Sequence, residues 1–328
     1  MSKEINCCSS RKGPVEIAYA NRILKANIPV GNGQTVELIG RSWAADSTAF
    51  VVPSLDIALD AGYPVYKKIM RNTFITHCHT DHIHHLTHYK DRKKPPTFYV
   101  PEECVALTDS FLHVSQQMTS FLTPKQYEEI DWQPSYHLQG VQPGDRLVVH
   151  PKRGLHCEII ACDHGVPCVG YGFSQVKQRL REEFSQLPGR EIGKLRKEGV
   201  QVTQEEEQKL FCFLGDTTAS ILDQEPQLFS YPTIIIECTF LTDDCRQKAH
   251  SSKHVLWSEL LPHVERHPET TFVLTHFSHR WTTQQVADFF AQQNLPNVIP
   301  WVPSDMSLYC QNVNQPEAPV EEIYNHSA

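Results

Sequence analysis

The chain has 328 residues, of which 40% are hydrophobic and 21% are charged, and its net charge at pH 7 is −8. This composition is typical of a globular protein, and the negative charge argues against a surface coated for nucleic-acid binding. The sequence has no apolar stretch of the roughly 20 residues that a membrane-spanning helix needs, and its first residues lack the apolar core of a secretory signal. The eleven cysteines lack C-x-x-C spacing, which favours free thiols and a location in the cytosol or nucleus over a disulfide framework.

Apolar runs separated by turn residues predict strands over much of the chain, with helices between them in its second half. Strands are predicted at 49–52, 55–59, 72–76, 97–100, 146–150, 156–161, 169–173, 211–214, 233–236 and 271–274. Helices are predicted at 101–118, 175–184, 255–264 and 282–292, and the polar stretch 185–209 is expected to be irregular and exposed. Strands that alternate with helices imply an α/β protein whose sheets are covered by helices.

No internal repeat or low-complexity tract marks a boundary between domains. An α/β chain of this length commonly forms one domain. We therefore predict a single domain at residues 31–303. An N-terminal extension at residues 1–30, expected to be mobile, precedes this domain, and a C-terminal tail at residues 304–328 follows it.

The segment HCHTDH at residues 77–82 has a pattern suited to metal binding and follows directly on a predicted strand. Two histidines two residues apart can point the same way from a turning backbone, so His77 and His79 can hold one ion. Asp81 and His82 lie where the chain turns into the next helix and can reach a second ion. Imidazole and carboxylate are ligands of zinc in open, catalytic sites. A histidine-rich surface loop is the alternative interpretation.

Three further residues of metal-binding types stand at the ends of predicted strands, namely His164, Asp216 and His276. Open α/β sheets place their binding sites at the C-terminal ends of strands. Any one of these residues alone is more often a polar group satisfied at a strand end. Together with residues 77–82, they favour a metal site.

The order of the motifs resembles that of metallo-β-lactamase-fold phosphodiesterases, most of all the short form of ribonuclease Z, the endonuclease that trims transfer RNA 3′ ends. The motifs are H-x-H-x-D-H, the lone His164, G-D-T at 215–217, E-C-T-F at 237–240 and T-H-F-S-x-R at 275–280. The resemblance covers roughly residues 36–300. It implies a metal-dependent hydrolase with the αββα sandwich of that superfamily, in which helices flank two mixed sheets, and a homodimer.

The resemblance also implies two zinc ions, with manganese as an alternative metal. His77, His79 and His164 would hold one ion, Asp81, His82 and His276 the other, and Asp216 would bridge them. Two such ions activate a hydroxide for in-line attack on a phosphodiester. Asp81 would also orient the attacking water or accept its proton, and Asp60 would support the ligands from behind.

By the same resemblance, a histidine downstream of the E-C-T-F motif protonates the leaving oxygen, and Glu237 orients that histidine. His250 is the preferred candidate because H-S-S/T is the commoner family pattern, but the spacing does not exclude His254. Ser278 and Arg280 are expected to contact a substrate phosphate. A plain salt bridge is the alternative role for the arginine.

Three features set this chain apart from the family pattern, and one of them is its net charge of −8. His84 and His85 stand where the family commonly has two glycines, and no arm rich in Gly and Pro is recognisable between His164 and Asp216. Basic residues cluster at 90–94 and 177–197, and glutamates interleave with the second cluster. These clusters serve either as contacts to RNA phosphates or as solvated surface.

We therefore predict a zinc-dependent endoribonuclease that removes 3′ trailers from precursor tRNA, or acts on other RNA, and that does not associate with a membrane. One alternative is a hydrolase of the same fold that acts on a small thioester, lactone or cyclic phosphodiester. The other is a catalytically silent scaffold. The E-C-T-F and T-H-F-S-x-R motifs favour the ribonuclease, and the presence of every predicted ligand argues against the scaffold.

Overall fold

Two seven-stranded sheets, which we call sheet A and sheet B, form the framework of the computed structural model. The structure describes residues 23–303 except 121, 124, 127–128 and 130–134, so the predicted C-terminal tail and most of the predicted N-terminal extension lie outside the described residues. Sheet A consists of β1 (Leu24–Pro29), β2 (Thr35–Trp43), β3 (Ser47–Val52), β4 (Ile57–Leu59), β5 (Asn72–Phe74), β6 (Thr97–Pro101) and β7 (His137–Val141). Sheet B consists of β8 (Arg146–His150), β9 (Leu155–Ala161), β10 (Val169–Leu180), β11 (Thr203–Phe213), β12 (Thr233–Glu237), β13 (Thr271–Thr275) and β14 (Val298–Pro300).

Both sheets are mixed, and each repeats the same pairing pattern. Strands β1 to β4 and strands β8 to β11 pair antiparallel with their neighbours in the chain. From β4 to β7 and from β11 to β14 the pairing is parallel. Parallel neighbours need long crossover connections, which explains why the helices follow these strands. The predicted α/β class with two mixed sheets is confirmed.

The helices lie on the outer faces of the sheets, except the third, which lies in the connection between β10 and β11. They are α1 (Thr80–Ile83), α2 (Val105–Thr119), α3 (Gly189–Lys197), α4 (Ile221–Gln224), α5 (Arg246–Ser252), α6 (Trp257–Arg266) and α7 (Thr283–Gln293). Trp257 of α6 and Phe290 of α7 pack in the core on sheet B, and Leu112 of α2 packs in a smaller core on sheet A. Between the sheets, Phe50 contacts Phe213 with ring centroids 5.9 Å apart. The layers therefore run helix, sheet, sheet, helix, as predicted.

The helix predicted at 175–184 is wrong, because residues 175–180 continue strand β10. Their partners on β11 hold them extended: Gln178 Nε2 donates to Glu205 Oε1 at 3.2 Å, and Arg179 forms an ion pair with Glu206. The stretch predicted to be irregular, 185–209, contains α3 and the first half of β11. These cross-strand partners lie more than twenty residues away along the chain, beyond the range of a local helical pattern.

Strands β10 and β11 extend beyond the rest of sheet B. The pairing of β10 with β9 ends at Gln175, and β12 pairs with β11 only at Cys212 and Phe213. Residues 177–180 and 203–206 therefore pair as strands only with each other, and α3 lies in the connection between them. We call this element the ribbon (residues 176–207). It occupies the interval between His164 and Asp216 in which the sequence showed no recognisable arm.

Strand β1 pairs with β2 along its whole length, so sheet A includes residues 24–29, which the sequence placed in the N-terminal extension. Sheet A therefore begins before residue 31, the predicted start of the domain.

The cysteines that the structure describes are free thiols, which agrees with the sequence: Cys78, Cys104, Cys157, Cys162, Cys168, Cys212, Cys238 and Cys245. Within the described ranges, every helix is too short or too polar to cross a bilayer.

Candidate metal centre

The HCHTDH segment leaves sheet A at the end of β5 and changes from extended to helical backbone within a few residues. His79 has φ −65° and ψ 147°, and α1 begins at the next residue. This change of direction brings side chains from both parts of the segment together. His77 Nε2 lies 3.0 Å from His79 Nδ1, and the rings of His77 and His82 have centroids 4.1 Å apart.

One group of candidate ligands joins the extended part of this segment to sheet B. His77, His79, His164 and Asp216 each offer one ligand atom, and these atoms all lie within 4.8 Å of one another. His164 Nε2 is 3.3 Å from His79 Nδ1, and His77 Nε2 is 3.7 Å from Asp216 Oδ2. His164 follows β9 and Asp216 follows β11, so the site lies at ends of strands, as predicted.

A second group of candidate ligands lies beside the first and consists of Asp81, His82 and His276. Asp81 Oδ2 is 3.5 Å from His82 Nε2 and 3.4 Å from His276 Nε2. Asp216 reaches this group as well, because its Oδ2 is 3.4 Å from His276 Nε2 and its Oδ1 is 3.5 Å from His82 Nε2. Its position between the two groups is that of a bridging ligand.

Asp216 also gives the strongest single indication that the site fits a cation. The residue is 2% exposed, and its Oδ1 has no hydrogen-bond partner among the described residues. A buried carboxylate oxygen without a donor is costly unless a cation satisfies it. The clusters of imidazoles and carboxylates, with this oxygen among them, therefore suit a bound metal ion.

The ring nitrogens that face away from the clusters have partners of their own. His82 Nδ1 lies 2.7 Å from Asp60 Oδ2, which is fully buried, and His164 Nδ1 lies 3.2 Å from the carbonyl oxygen of Lys253. His276 Nδ1 lies 2.9 Å from Thr239 Oγ1. Such partners fix the orientation of a metal-binding imidazole. Asp60 thus lies behind the candidate ligands, where the sequence placed it.

Two residues in the strand-end loops have left-handed backbone conformations. Gly215 has φ +58°, and a Cβ atom there would lie only 2.6 Å from Cβ of Thr76, so the position excludes a side chain. His276 has φ +60°, which a residue other than glycine adopts only at a cost of about 1–3 kcal/mol. Its amide donates to Ser42 Oγ at 3.0 Å, which holds the conformation in place. Backbone strain at His276 turns its ring toward Asp81 and Asp216.

Electrostatics keeps the carboxylates of the site charged. Burial raises the pKa of Asp216, but the charges of His276 and His82 outweigh burial and hold that pKa well below its usual value. Burial lowers the pKa of His82, yet Asp216 and Asp60 raise it to about 10. Burial lowers the pKa of His77, and the charge of His82 lowers it further. The centre therefore concentrates negative charge, which holds a proton on His82, and a metal ion bound to that imidazole would displace the proton.

The structure places His254, not His250, beside the clusters. His254 Nδ1 lies 2.6 Å from Glu237 Oε1, and its ring centroid is 5.1 Å from that of His164. The side chain of His250 is 59% exposed and pairs with Glu259 at 2.7 Å. The preference for His250 is therefore not supported, because α5 turns that side chain to the surface. His254 also forms a third group of possible ligands with Asp216 and His276.

Ser278 and Arg280 lie in the loop after His276, which connects β13 to α7. The amide of Ser278 donates to the Thr239 carbonyl at 3.1 Å, and the Arg280 amide lies 3.3 Å from Ser278 Oγ. Arg280 is exposed at the surface. Thr239 appeared in the sequence only as part of the E-C-T-F motif. Its hydroxyl contacts both His276 and Glu237 and so links the candidate ligand His276 to the carboxylate of Glu237.

The two histidines that replace the family glycines lie in a short 3-10 helix directly after α1 (His84–His88). The amide of His85 donates to the Ala61 carbonyl at 2.8 Å, and its ring packs edge-on to Tyr63. The neighbouring His84 is exposed. This helix follows the candidate ligands Asp81 and His82 directly in the chain.

Known proteins that are similar to this chain indicate which family of folds it has. A family model described as the metallo-beta-lactamase superfamily matches residues 72–173, which include the HCHTDH segment and His164. The chain has the metallo-β-lactamase fold. Among solved structures it is similar to the metallo-beta-lactamase fold protein YhfI from Bacillus subtilis, with a TM-score of 0.50 and 13% identity. The match covers 85% of this chain and 96% of YhfI, and at this identity it supports the fold alone.

Curated relatives confirm the resemblance to ribonuclease Z. The chain is 28% identical over 258 residues to tRNase Z TRZ1 of Arabidopsis thaliana, covering 76% of this chain and 88% of the relative. It is 26% identical over 258 residues to the chloroplastic tRNase Z TRZ2 of the same plant, covering 76% of this chain and 69% of the relative. The chain is thus similar in sequence to ribonuclease Z over about three quarters of its length.

Proposed function

We propose that this chain is a zinc-dependent endoribonuclease that removes the 3′ trailer from precursor tRNA. The observation that carries the proposal is the convergence of two ligand groups, from both sheets, beside the His254–Glu237 pair. Phosphodiester cleavage needs cations to offset charge on the phosphate oxygens and an acid for the leaving oxygen. The similarity to two proteins named tRNase Z supports tRNA as the substrate.

Two zinc ions, or manganese in their place, fit the donor set. The first would be held by His77, His79 and His164, the second by Asp81, His82 and His276, with Asp216 between them. When bound, such a pair supplies an activated water at neutral pH and offsets charge on the phosphate. The unpartnered Oδ1 of buried Asp216 supports this assignment.

The chain's own side chains position the other reacting groups. Asp81 Oδ2 accepts a hydrogen bond from the amide of Ala45 at 3.0 Å, which holds the carboxylate in place within the second ligand group. We assign Asp81 to orient the attacking water. His254 Nδ1 donates to Glu237, which leaves Nε2 to hold the proton for the leaving O3′. Burial lowers the pKa of His254, but Glu237 raises it to about 9, so this acid is protonated at neutral pH.

Contacts to the rest of the RNA come from exposed cationic groups. Arg280 stands in the loop after His276, where its guanidinium can pair with a phosphate through two parallel hydrogen bonds. Basic side chains also cover α3 of the ribbon, and its last turn carries Lys194, Arg196 and Lys197. Contacts between lysine or arginine and phosphates make affinity fall steeply with salt. We propose that the ribbon contributes this sequence-independent part of binding.

We retain the homodimer as a proposal, since α2 offers a surface that supports it. Leu107, Phe111, Val114 and Met118 lie on the helix at intervals of four, three and four residues, and all four are exposed. Such spacing places them on one side of the helix, in the pattern of a helix–helix seam. A second copy of α2, packed antiparallel about a two-fold axis, would cover this stripe.

The decisive experiment incubates the purified full-length chain with zinc or manganese and a tRNA precursor that carries a 3′ trailer. We expect cleavage directly after the discriminator base. His79→Ala should abolish it, whereas His137→Leu should not, because His137 is an exposed residue on β7, away from the clusters. The cleavage position is read from the product length.

Two other outcomes would reject the proposal in different ways. Hydrolysis of a thioester or of bis(p-nitrophenyl) phosphate without RNA cleavage would indicate a small-molecule hydrolase of the same fold. Inertness toward all these substrates, with metal shown to be bound, would indicate a scaffold. Location in the cytosol or nucleus remains a prediction.

A further inference from the structure

Two loops of the candidate centre each carry a charged residue directly before a histidine of the site. Asp163 precedes the candidate ligand His164 after β9, and Lys253 precedes the candidate acid His254 after α5. Lys253 Nζ lies 2.7 Å from Asp163 Oδ1, and both side chains are 45% exposed. The ion pair therefore joins the loop of the ligand to the loop of the acid. We call this pair the latch (Asp163 and Lys253).

The backbone of Lys253 makes a second connection between the same two loops. Its carbonyl oxygen accepts a hydrogen bond from His164 Nδ1 at 3.2 Å. The other ring nitrogen of His164, Nε2, faces the first ligand group and lies 3.3 Å from His79 Nδ1. The ring of His254 lies beside that of His164, with centroids 5.1 Å apart. The orientation of the backbone at Lys253 therefore affects both the ligand and the acid.

The other half of the latch is tied to the carboxylate that orients the acid. The amide of Asp163 donates to Thr217 Oγ1 at 3.1 Å, and the amide of Thr217 donates to Glu237 Oε1 at 3.1 Å. The same oxygen accepts the hydrogen bond from His254 Nδ1 at 2.6 Å. The latch thus closes a ring of contacts that begins and ends at residues 253–254. Such support holds a reacting side chain in place better than a single attachment does.

The backbone conformation of Lys253 sets this lysine apart from an ordinary surface residue. It has φ +53° and ψ 56°, in the left-handed region, directly after the last residue of α5. Glycine is the usual residue at such a position, because it adopts a positive φ without steric cost. The ion pair of the lysine offers little in return, since exposed ion pairs add little to stability. Stability therefore does not explain a lysine here, which favours a role in orienting its neighbours.

We propose that the latch positions His254 to protonate the leaving O3′, with Lys253 as the positioning residue. The proposal rests on the proposed function, since the latch acts through the acid assigned there. A displacement of about 1 Å at a reacting group can lower a rate about 100-fold. The effect of the latch falls on the chemical step, so it changes kcat and leaves KM nearly unaltered.

Three variants at position 253 test the latch on precursor tRNA. Lys253→Met removes the charge at similar length, Lys253→Gly suits the left-handed backbone, and Lys253→Arg restores a cation. We expect the first two to lower kcat about tenfold with KM within about twofold, and Lys253→Arg to retain most of the activity. Lys253→Gly should unfold at the temperature of the natural chain or above it. A role confined to the turn predicts instead that Lys253→Gly keeps full activity, which would refute the latch.

A double variant tests whether the two residues act as one unit. Asp163→Asn should lower kcat as much as Lys253→Met does, and the double variant should be no slower than either single variant, because either change breaks the same contact. Losses that multiply in the double variant would refute the latch. Lys68→Met is the matched control, since it removes another exposed lysine that pairs with an aspartate, Asp56, and it should leave kcat unchanged.

A precursor with sulfur in place of the leaving O3′ distinguishes an effect on the acid from an effect on the metal ligand. A thiolate leaves without a proton, so Lys253→Met should cleave this substrate as fast as the natural chain does. An equal loss on both substrates would assign the effect to His164 and refute the positioning of His254. If the natural chain cleaves the ordinary precursor and Lys253→Met matches it, the latch fails and the ribonuclease stands. If the natural chain cleaves no RNA, both proposals fail.

Discussion

His254 donates a hydrogen bond from Nδ1 to Oε1 of Glu237 at 2.6 Å, within a pair that is almost completely buried on the carboxylate side. The carboxylate is held in turn by the amide of Thr217 at 3.1 Å and by Thr239. Glu237 ends β12 between the strands that deliver Asp216 and His276. The pair is therefore built into the same sheet edge as the candidate ligands, and its geometry distinguishes His254 from the other histidines that the structure describes downstream of β12.

Replacing His254 should slow the reaction far more than replacing His250. We expect His254→Ala to lower kcat for precursor tRNA by about 10²- to 10⁴-fold, because a general acid contributes that much. His250→Ala removes an exposed side chain and should stay within about twofold. Metal content, measured by inductively coupled plasma mass spectrometry, should be equal in both variants. A loss of metal from His254→Ala would instead make His254 a ligand, in line with its proximity to Asp216 and His276.

The Glu237 carboxylate should set the alkaline limit of activity. Burial lowers the pKa of His254, and Glu237 overcomes burial and raises that pKa to about 9. An acid acts while protonated, so kcat should fall as pH rises through the pKa. Glu237→Gln removes the charge that raises the pKa, so the alkaline limb of the pH profile of kcat should move to lower pH. An alkaline limb that does not move would assign that limb to another group.

Asp60 should control metal affinity without touching the ion. Its carboxylate accepts from the Thr76 amide at 2.7 Å and lies 2.7 Å from His82 Nδ1. Asp60→Asn removes the charge that orients this imidazole, and we expect zinc to bind about 10- to 100-fold more weakly in a chelator competition. Asp56→Asn is the matched control, because Asp56 directly precedes β4 and pairs with the exposed residue Lys68. Equal affinity in the two variants would contradict this role.

Removal of the metal should destabilise the fold. An ion that binds only the folded state stabilises it by about 4 kcal/mol when its free concentration is a thousand times Kd. We therefore expect a chelator to lower Tm by several degrees and zinc to restore it, as measured by differential scanning calorimetry. His79→Ala should begin near the lower value and respond little to either treatment. A Tm of the natural chain that ignores the chelator would argue against a bound metal.

Charges placed on the exposed stripe of α2 should dissociate the proposed dimer. Leu107 and Met118 have exposed fractions of 73% and 80%, the largest of the exposed apolar residues that the structure describes. In the double variant Leu107→Lys, Met118→Lys, like charges would face each other across the two-fold axis, and multi-angle light scattering should give the monomer mass. Val148→Lys, at an exposed apolar position on β8, should leave the mass unchanged. A natural chain that is already monomeric would end this proposal.

Three of the candidate ligands could be located in the sequence because each follows a short apolar strand, and strand ends are local features. His164, Asp216 and His276 were found in this way. The ribbon was mispredicted for the opposite reason, since Arg179 is held extended by Glu206, which is remote along the chain. His254 and His250 are equally plausible in sequence. Only the turn after α5, where Lys253 adopts φ +53°, directs one histidine inward and leaves the other at the surface.

The candidate ligands come from both halves of the chain, one set from sheet A and the other from the strand ends of sheet B. Neither of the two proposed zinc sites is complete in one half alone, so we expect them to fill only after both sheets have formed and packed together. Metal uptake would then report that the polypeptide has been fully synthesised and folded, because His276 lies near the end of the domain. A chain that ends before β8 keeps only His77, His79, Asp81 and His82 of the proposed ligands, so it should leave zinc in solution at equilibrium dialysis, however well its first sheet is formed.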